Sequence, residues 1–404
     1  MSYISHKVRL HPNNQQRTML VKSCGVVRFV WNWALDEWQN QHNAGEKPDK
    51  FKLSQQLNAI KKEQFPWMLD VSQRCTSQPI KNLGNAFDKF FNKKGGYPKF
   101  KKKGAHDRFT LEYNKGCNFE VKGKKIRIQK IGWVRLAEPL RFEGKLLWAT
   151  VSREADKWFV SIQVEIPDLP KLPKTNKAIG IDVGVREYVD SDKNHYPVPR
   201  SFRRTERKLR RLQQSLARKQ KGSKNREKAK IKVARCHARI KNIRGDWLHK
   251  FTTKIIRENG IIGIEDLNVR GMMKNRRLAK SIQDAAFGEF RRQLQYKSEW
   301  YGRTLYIADR FYPSSKTCSV CSARTKHLPL HVREWVCSEC GTKHHRDECP
   351  ATNLKNLAVG STVSACGEFS PLRSPPVAAK VSSSVKQESY TNLKGLDKLW
   401  RTRT

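Results

Sequence analysis

Hydrophobic and polar positions alternate along Tyr3 to Leu10, which predicts a short strand ended by Pro12. The stretch after it reads as a helix capped by Asn13 or Asn14 and stopped by Gly25. Val27, Val30, Ala34 and Trp38 then share one helical face, widened by Trp31 and Trp33. These aromatics read as core rather than as base-stacking surface. Further helix runs to about Asn92, with Leu83, Phe87, Phe90 and Phe91 as its apolar stripe.

Glycine and proline break the pattern between Asn92 and Gly104, where the lysines face solvent or phosphate. From Arg108 to Ile166 the period changes to two. The segment holding Trp158, Val160, Ile162, Val164 and Ile166 predicts a hairpin with one buried face, and several short strands suggest a small barrel. A proline-rich linker, "PDLPKLPKTNK", leads to "AIGIDVGV", an apolar strand carrying Asp182 near its end. Leu209, Leu212 and Leu216 repeat at helical spacing, as do Ile240, Ile243 and Trp247; the break at Lys221 to Asn225 makes the pair an αα-hairpin. "IIGIEDLNV" is a second apolar strand ending in acids. One helix over "SIQDAAFGEFRRQLQYKSEWYG" and a third strand in "TLYIADRFYPSS" follow. After Cys366 the chain is Ser- and Pro-rich with little to bury, the composition of a disordered tail.

Charge changes the picture. The 404 residues carry 82 Lys+Arg against 37 Asp+Glu, a formal net charge of +45. Such a chain repels itself unless a polyanion screens it, and nucleic acid is the natural partner. From Arg200 to Lys250 there are 20 Lys+Arg against 3 Asp+Glu, too lopsided for a merely solvated face. Phosphate-contact candidates are Lys101, Lys102, Lys103, Arg207, Arg211, Lys224, Lys228, Arg276 and Arg277. No run is apolar enough to span a membrane, and the first residues lack the apolar core of a signal peptide, so a cytoplasmic protein is expected.

Ten cysteines then divide by role. Cys24, Cys75, Cys117, Cys236, Cys349 and Cys366 are scattered and expected to be reduced. Cys318-x-x-Cys321 and Cys337-x-x-Cys340 are separated by fifteen residues, a spacing that suits tetrahedral Zn²⁺. Four thiolates leave the metal no open position, so the zinc is structural, and His344 and His345 are surplus. Three acids form a second constellation. Asp182 and Glu265 end apolar strands, and Asp347 starts the last helical segment. Carboxylates converging from separate elements are what two-metal phosphodiester hydrolysis needs, with hard Mg²⁺ (or Mn²⁺) as the cation. Asp266 rivals Glu265, but adjacent strand residues face opposite ways and the longer arm is preferred.

"GIDVGV", "GIEDLNV", "MMKNRRLAKSIQDAAFGEFRRQLQYKSEWYG" and "YPSSKTCSVC…CSECGTKHHRD", in that order, closely resemble the TnpB family, insertion-sequence proteins related to type V CRISPR effectors. "HKVRLHPNNQQ…CGVVRFVWNWAL", "GGYPKFKKK" and "IGWVRL" look like the same family, so the resemblance covers roughly residues 3–360. It implies a mixed α+β, multidomain chain. A wedge β-barrel (1–15 and 100–170) would hold a helical recognition domain (16–99). A RuvC-like nuclease domain of RNase H-like fold (176–316 and 345–362) would hold the zinc finger (317–344), before a disordered tail (366–404). It implies catalytic acids at Asp182, Glu265 and Asp347. The implied activity is RNA-guided cleavage of double-stranded DNA beside a short transposon-adjacent motif, by a monomer carrying a guide RNA from the transposon end. A catalytically silent RNA-guided repressor and a strand-joining transposase are the alternatives. Cys349 and Pro350 depart from the family's usual Asn and small residues, and Ser322 stands where glycine is common.

Overall fold

The computed structural model describes residues 2–105, 107–113, 118–329 and 331–365. The cysteines at 117 and 366 and the Ser- and Pro-rich tail lie outside them. Residues 1–361 form one compact unit.

Strand β1 (Ser2–His11) alternates strictly between buried and exposed positions. Helix α1 (Asn14–Asn43) starts from a capping box in which Asn13 and Gln16 satisfy each other's backbone amides. It does not stop at Gly25. The helix runs straight through, and Cys24 and Val26 on either side of the glycine are buried. A mid-helix glycine costs about 1 kcal/mol relative to alanine, which burial of Leu20, Val30, Ala34 and Leu35 outweighs. Helices α2 (Lys50–Ile60) and α3 (Arg74–Phe91) pack against it, with the Trp38 ring stacked on Phe87 at 4.2 Å. Leu83 and Phe87 are buried as expected, whereas Phe91 at the helix end is exposed.

The β region supplies β2 (Arg108–Glu112), β3 (Phe119–Lys122), β4 (Lys125–Ile128), β5 (Gly132–Leu136), β6 (Lys145–Glu154) and β7 (Lys157–Ile166). With β1 they form an antiparallel seven-stranded sheet, order β2-β6-β7-β1-β5-β4-β3. All five residues of the predicted buried face of β7 are buried. The two edge strands meet near their ends: the Asn118 amide donates to the Glu112 carbonyl at 2.8 Å, and the Tyr113 and Phe119 rings lie 5.5 Å apart.

A second sheet has order β10-β9-β8-β11-β12, built from β8 (Ala178–Val183), β9 (Glu187–Asp190), β10 (His195–Pro197), β11 (Ile261–Glu265) and β12 (Thr304–Ala308). β8, β11 and β12 are parallel; β9 and β10 are antiparallel. Its core holds Ile179, Ile181, Ile262 and Ile264 against Leu248, Phe251, Phe290 and Leu294. Between β10 and β11 stands the basic hairpin, α4 (Ser201–Ala217) and α5 (Lys224–Glu258), broken where the sequence predicts. Leu209, Cys236 and Ile240 form its own small core, but Ile243 is exposed. Arg200, before α4, is left-handed and gives no side-chain cap. Asp284 supplies one from elsewhere, accepting from the Phe202 and Arg203 amides at 2.9 and 3.2 Å.

After β11 come α6 (Val269–Met272), α7 (Ala279–Ala285) and α8 (Phe287–Tyr301). The single helix expected over Ser281 to Gly302 is broken at Ala286, whose φ of +57° is left-handed. The break lets Asp284 serve α4 while Phe287 and Phe290 turn into the sheet's core. A small hairpin, β13 (Glu334–Val336) and β14 (Lys343–His345), precedes α9 (Cys349–Ala365).

Candidate active site and metal centre

The parallel register pairs Ile181 with Ile264, so Asp182 and Glu265 each lie one residue beyond, at the same end of the two central strands. The carboxyl ends of parallel strands are where such sheets build sites. The Asp182 carboxyl is pushed up to about 8, first by burial and then by the charges of Glu265 and Asp347. The three acids therefore share one electrostatic neighbourhood although they come from β8, β11 and the entry to α9.

Each acid is held differently. Glu265 accepts a short hydrogen bond from the Ser314 hydroxyl. Asp347 has both oxygens on Arg333 Nη1, at 3.1 and 3.0 Å. Asp266 is set apart from both: despite its burial, Arg291 and Arg310 hold its carboxyl below the usual range. A charge already neutralised by two guanidiniums leaves little for a cation, which favours Glu265 over its neighbour as a metal ligand.

Asp347 precedes α9 by two residues instead of opening it, because the helix begins at Cys349. Pro350 sits in the first turn, where a missing amide hydrogen is no loss. Cys349 is buried and its thiol donates to the Thr317 carbonyl at 3.2 Å, and the Asn353 amide donates to the Ser314 and Thr317 carbonyls at 2.8 and 2.7 Å. These contacts tie the start of α9 to the segment that holds Glu265. Two glycines that sequence reading passed over set how closely the helix approaches. Gly180 and Gly263 are register partners on β8 and β11. A Cβ on Gly180 would lie 1.9 Å from the Ala351 carbonyl oxygen, and one on Gly263 would lie 2.2 Å from that of Leu354. Their only sequence signal is position: each lies two residues before an acid or its strand neighbour, inside an apolar strand.

The four knuckle cysteines are drawn together as their spacing predicts, with ligand atoms all within 4.8 Å of one another. Among the described residues no other set of three or more His, Cys, Asp or Glu side chains is gathered that tightly. The two halves repeat each other. Ser322 N donates to Cys318 O and Gly341 N to Cys337 O, each at 3.0 Å, and Ser322 and Gly341 are both left-handed, with φ of +61° and +68°. A site of four soft sulfurs can hold zinc. Thr342, hydrogen-bonded to Cys340, draws that thiol down to about 6, toward the form a metal binds. His344 is not remote: its Nε2 lies 3.0 Å from Cys318 Sγ, and its ring packs on Trp335 at 4.7 Å.

Of the phosphate-contact candidates, Lys102, Lys103, Arg207, Arg211, Lys224, Lys228, Arg276 and Arg277 are exposed. Lys101 differs. Its ammonium lies 3.5 Å from the centroid of the Trp31 ring, and burial lowers it to about 7, with help from Arg108. Cys24, Cys75, Cys236 and Cys349 are buried free thiols.

Comparison with known proteins finds three matching family models along the chain. Residues 161–276 match a family model described as "Probable transposase", 287–354 one described as "Cas12f1-like, TNB domain", and 1–47 one described as "Helix-turn-helix domain". The last region is here a strand followed by one continuous helix. In fold the protein is Cas12f1-like and mixed α/β. A structure titled as the Cas12f1–sgRNA–target DNA complex aligns with 88% of this chain and 99% of its own at a TM-score of 0.54 and 13% identity. A Streptomyces pristinaespiralis protein named "Putative RNA-guided DNA endonuclease" is 38% identical over 97% of this chain and 98% of its own. Escherichia coli K12 InsQ, with the same description, is 33% identical over 92% and 96%. The chain belongs to this TnpB family of insertion-sequence proteins.

Proposed function

We propose that the protein is a transposon-encoded, RNA-guided endonuclease that cuts double-stranded DNA beside a short transposon-adjacent motif. The observation that carries this reading is the placing of Asp182 and Glu265 at one end of two paired parallel strands, with the Asp182 carboxyl raised by burial and by the charges of Glu265 and Asp347. In a chain of net charge +45, these three acids offer the carboxylate oxygens that hard cations prefer. Mg²⁺ or Mn²⁺ held by these three would polarise the scissile phosphate and supply an activated water. Asp182 is the acid with most to gain from such a cation. Ser314 orients Glu265, and Arg333 offers a cationic partner beside Asp347 that a phosphate can also engage.

The same reading takes the second sheet, α9 and the intervening helices (176–316 and 345–362) as an RNase H-like RuvC domain. Its support is the strand order with β8 central and β9–β10 antiparallel. The finger (317–344) is a structural zinc insertion. The seven-stranded sheet (1–15 and 100–170) is the wedge barrel, and the helices of 16–99 are the recognition domain. Lys102, Lys103, Arg207, Arg211, Lys224, Lys228, Arg276 and Arg277 track phosphates, with the protein acting as a monomer on its guide RNA and target. Among the described residues no helix is long and apolar enough to cross a membrane; the place of work in this reading is the cytoplasm, on the nucleoid. A silent RNA-guided repressor is the second reading, and retention of all three acids favours the nuclease.

The test is reconstitution with RNA that co-purifies with the protein. Cleavage should move with the guide segment. Asp182→Ala, Glu265→Ala and Asp347→Ala should each lose nearly all cutting while still protecting the guided site in a footprint. Cutting at a fixed site whatever the guide, or normal cutting by Asp182→Ala, would overturn the reading.

A further inference from the structure

We propose that Phe311 is a base-stacking residue that seats a nucleobase of the cut strand within roughly three nucleotides of the scissile phosphate. The inference rests on the nuclease reading above and adds a nucleobase subsite to it. Phe311 is 86% exposed, the most exposed of the large hydrophobic side chains described. A single exposed apolar residue is ordinary on a protein surface. What sets this one apart is its mounting.

The segment from Arg310 to Ser314 is an arch standing on two adjacent residues at the end of β11. One foot is Arg310, whose Nη2 donates to Asp266 at 2.7 Å. The other is Ser314, whose hydroxyl donates to Glu265 and whose carbonyl is held by Asn353 of α9 at 2.8 Å. Inside the arch the Phe311 amide donates to the Asp309 carboxylate at 2.8 Å, the Tyr312 amide to the Asp309 carbonyl at 3.1 Å, and the Ser314 amide to the Tyr312 carbonyl at 2.9 Å. The backbone is therefore fixed, and the phenyl ring stands at the crown with its faces open. Among the described residues no aromatic ring or cation packs on it.

A pinned aromatic beside Glu265 and Asp266 has a definite use in this reading of the chain. Guide pairing supplies sequence choice, so the cutting site must grip any base. A ring face does that, because every base has a π-face and stacking is tolerant of sequence. The base must be unpaired to reach the ring, so the ligand is single-stranded DNA. Phe311 lies three positions before Ser314, so its Cα is at most about 10 Å from that of the residue whose hydroxyl touches Glu265. Seating one base there limits how the neighbouring phosphate can lie over the three acids.

The experiment uses the full chain loaded with its guide RNA, with Phe311→Ala, Phe311→Leu, Phe311→Tyr and Phe311→Trp compared at saturating Mg²⁺. Single-turnover cutting by Phe311→Ala should slow by roughly 5- to 150-fold, the range expected for one lost stacked base. Tyr and Trp should restore it and Leu should not, while footprints of the guided site stay unchanged for all four. An abasic nucleotide walked along the cut strand should find one position that slows the parent by a similar factor and does not slow Phe311→Ala further. 2-Aminopurine at that position should be quenched by the parent in Ca²⁺, where no cutting is needed, and not by Phe311→Ala. Rates within twofold for Phe311→Ala, or equal rescue by Leu, would overturn the proposal. Oligomerisation of the parent that Phe311→Ala abolishes would overturn it in favour of a contact between copies. A parent that quenches 2-aminopurine but never cuts would instead break the nuclease reading and leave the stacking site standing.

Discussion

Replacing Gly263 with alanine should separate the last acid from the other two. The added Cβ would lie 2.2 Å from the Leu354 carbonyl oxygen and 3.2 Å from the Ala358 Cβ, where ordinary contact begins at 3.4 Å. The α9 backbone must retreat by about 1.2 Å (3.4 − 2.2), because the obstruction is main chain and cannot rotate away. Gly180→Ala demands about 1.5 Å (3.4 − 1.9) at Ala351. Overpacking of this kind costs about 1–3 kcal/mol, and backbone obstruction puts both variants at the upper end. The catalytic effect should be larger, since Asp347 lies four residues before Ala351 and a misplacement of about 1 Å can cost 10²-fold. Thermal unfolding and single-turnover guided cleavage measure the two effects. Both variants move one helix, so the double variant should be less destabilised than the sum of the singles. Gly245→Ala is the control. That glycine has nothing within 4 Å of its added Cβ, and in α5 the change should stabilise by about 0.5–1 kcal/mol. A Gly263→Ala protein that unfolds and cuts like the parent would refute the idea that helix approach sets the site.

Two further outcomes are expected. Cys337→Ser, or zinc chelation, should unfold the finger and lower soluble yield, seen as loss of bound zinc and a lower melting temperature; unchanged stability with cutting alone abolished would contradict a structural role. Lys101, lowered to about 7 in the fold, binds fewer protons folded than unfolded between pH 7 and its unfolded value near 10.4, so the cost of burying its ammonium is fully present below that window and is relieved as pH rises through it. The stability difference between Lys101→Met and the parent should therefore favour the variant most at pH 6 and shrink by pH 9; a constant difference would refute the buried-cation account.

Periodicity and composition made the elements legible, and the chemistry was legible where it depended on residue type. The β7 face, the αα-hairpin and the clustering of Cys318, Cys321, Cys337 and Cys340 follow from spacing alone. What sequence missed was decided by packing between distant segments. Gly25 looks like a helix stop until Leu20, Val30 and Leu35 are seen buried around it. Nothing local marks Ala286 as a left-handed break, because the benefit accrues to α4 through Asp284. Lys101 reads as one lysine of three until Trp31 is placed beneath it. Gly180 and Gly263 look like weak points in strands and are clearances for α9. Ser322 is the opposite case. Its place in the repeat with Gly341 marks it as the glycine position of a knuckle, and its φ of +61° agrees.

The order in which the site is completed along the chain has a consequence for biosynthesis. Asp182 and Glu265 leave the ribosome with their strands, but the grooves over Gly180 and Gly263 stay uncovered until α9, beyond residue 348, is made. The last acid arrives with that helix, after the finger has been translated. A nascent or prematurely ended chain thus carries its basic surfaces before it carries a complete set of acids. A protein stopped at residue 340 should hold RNA, as a gel shift would register, and leave DNA whole.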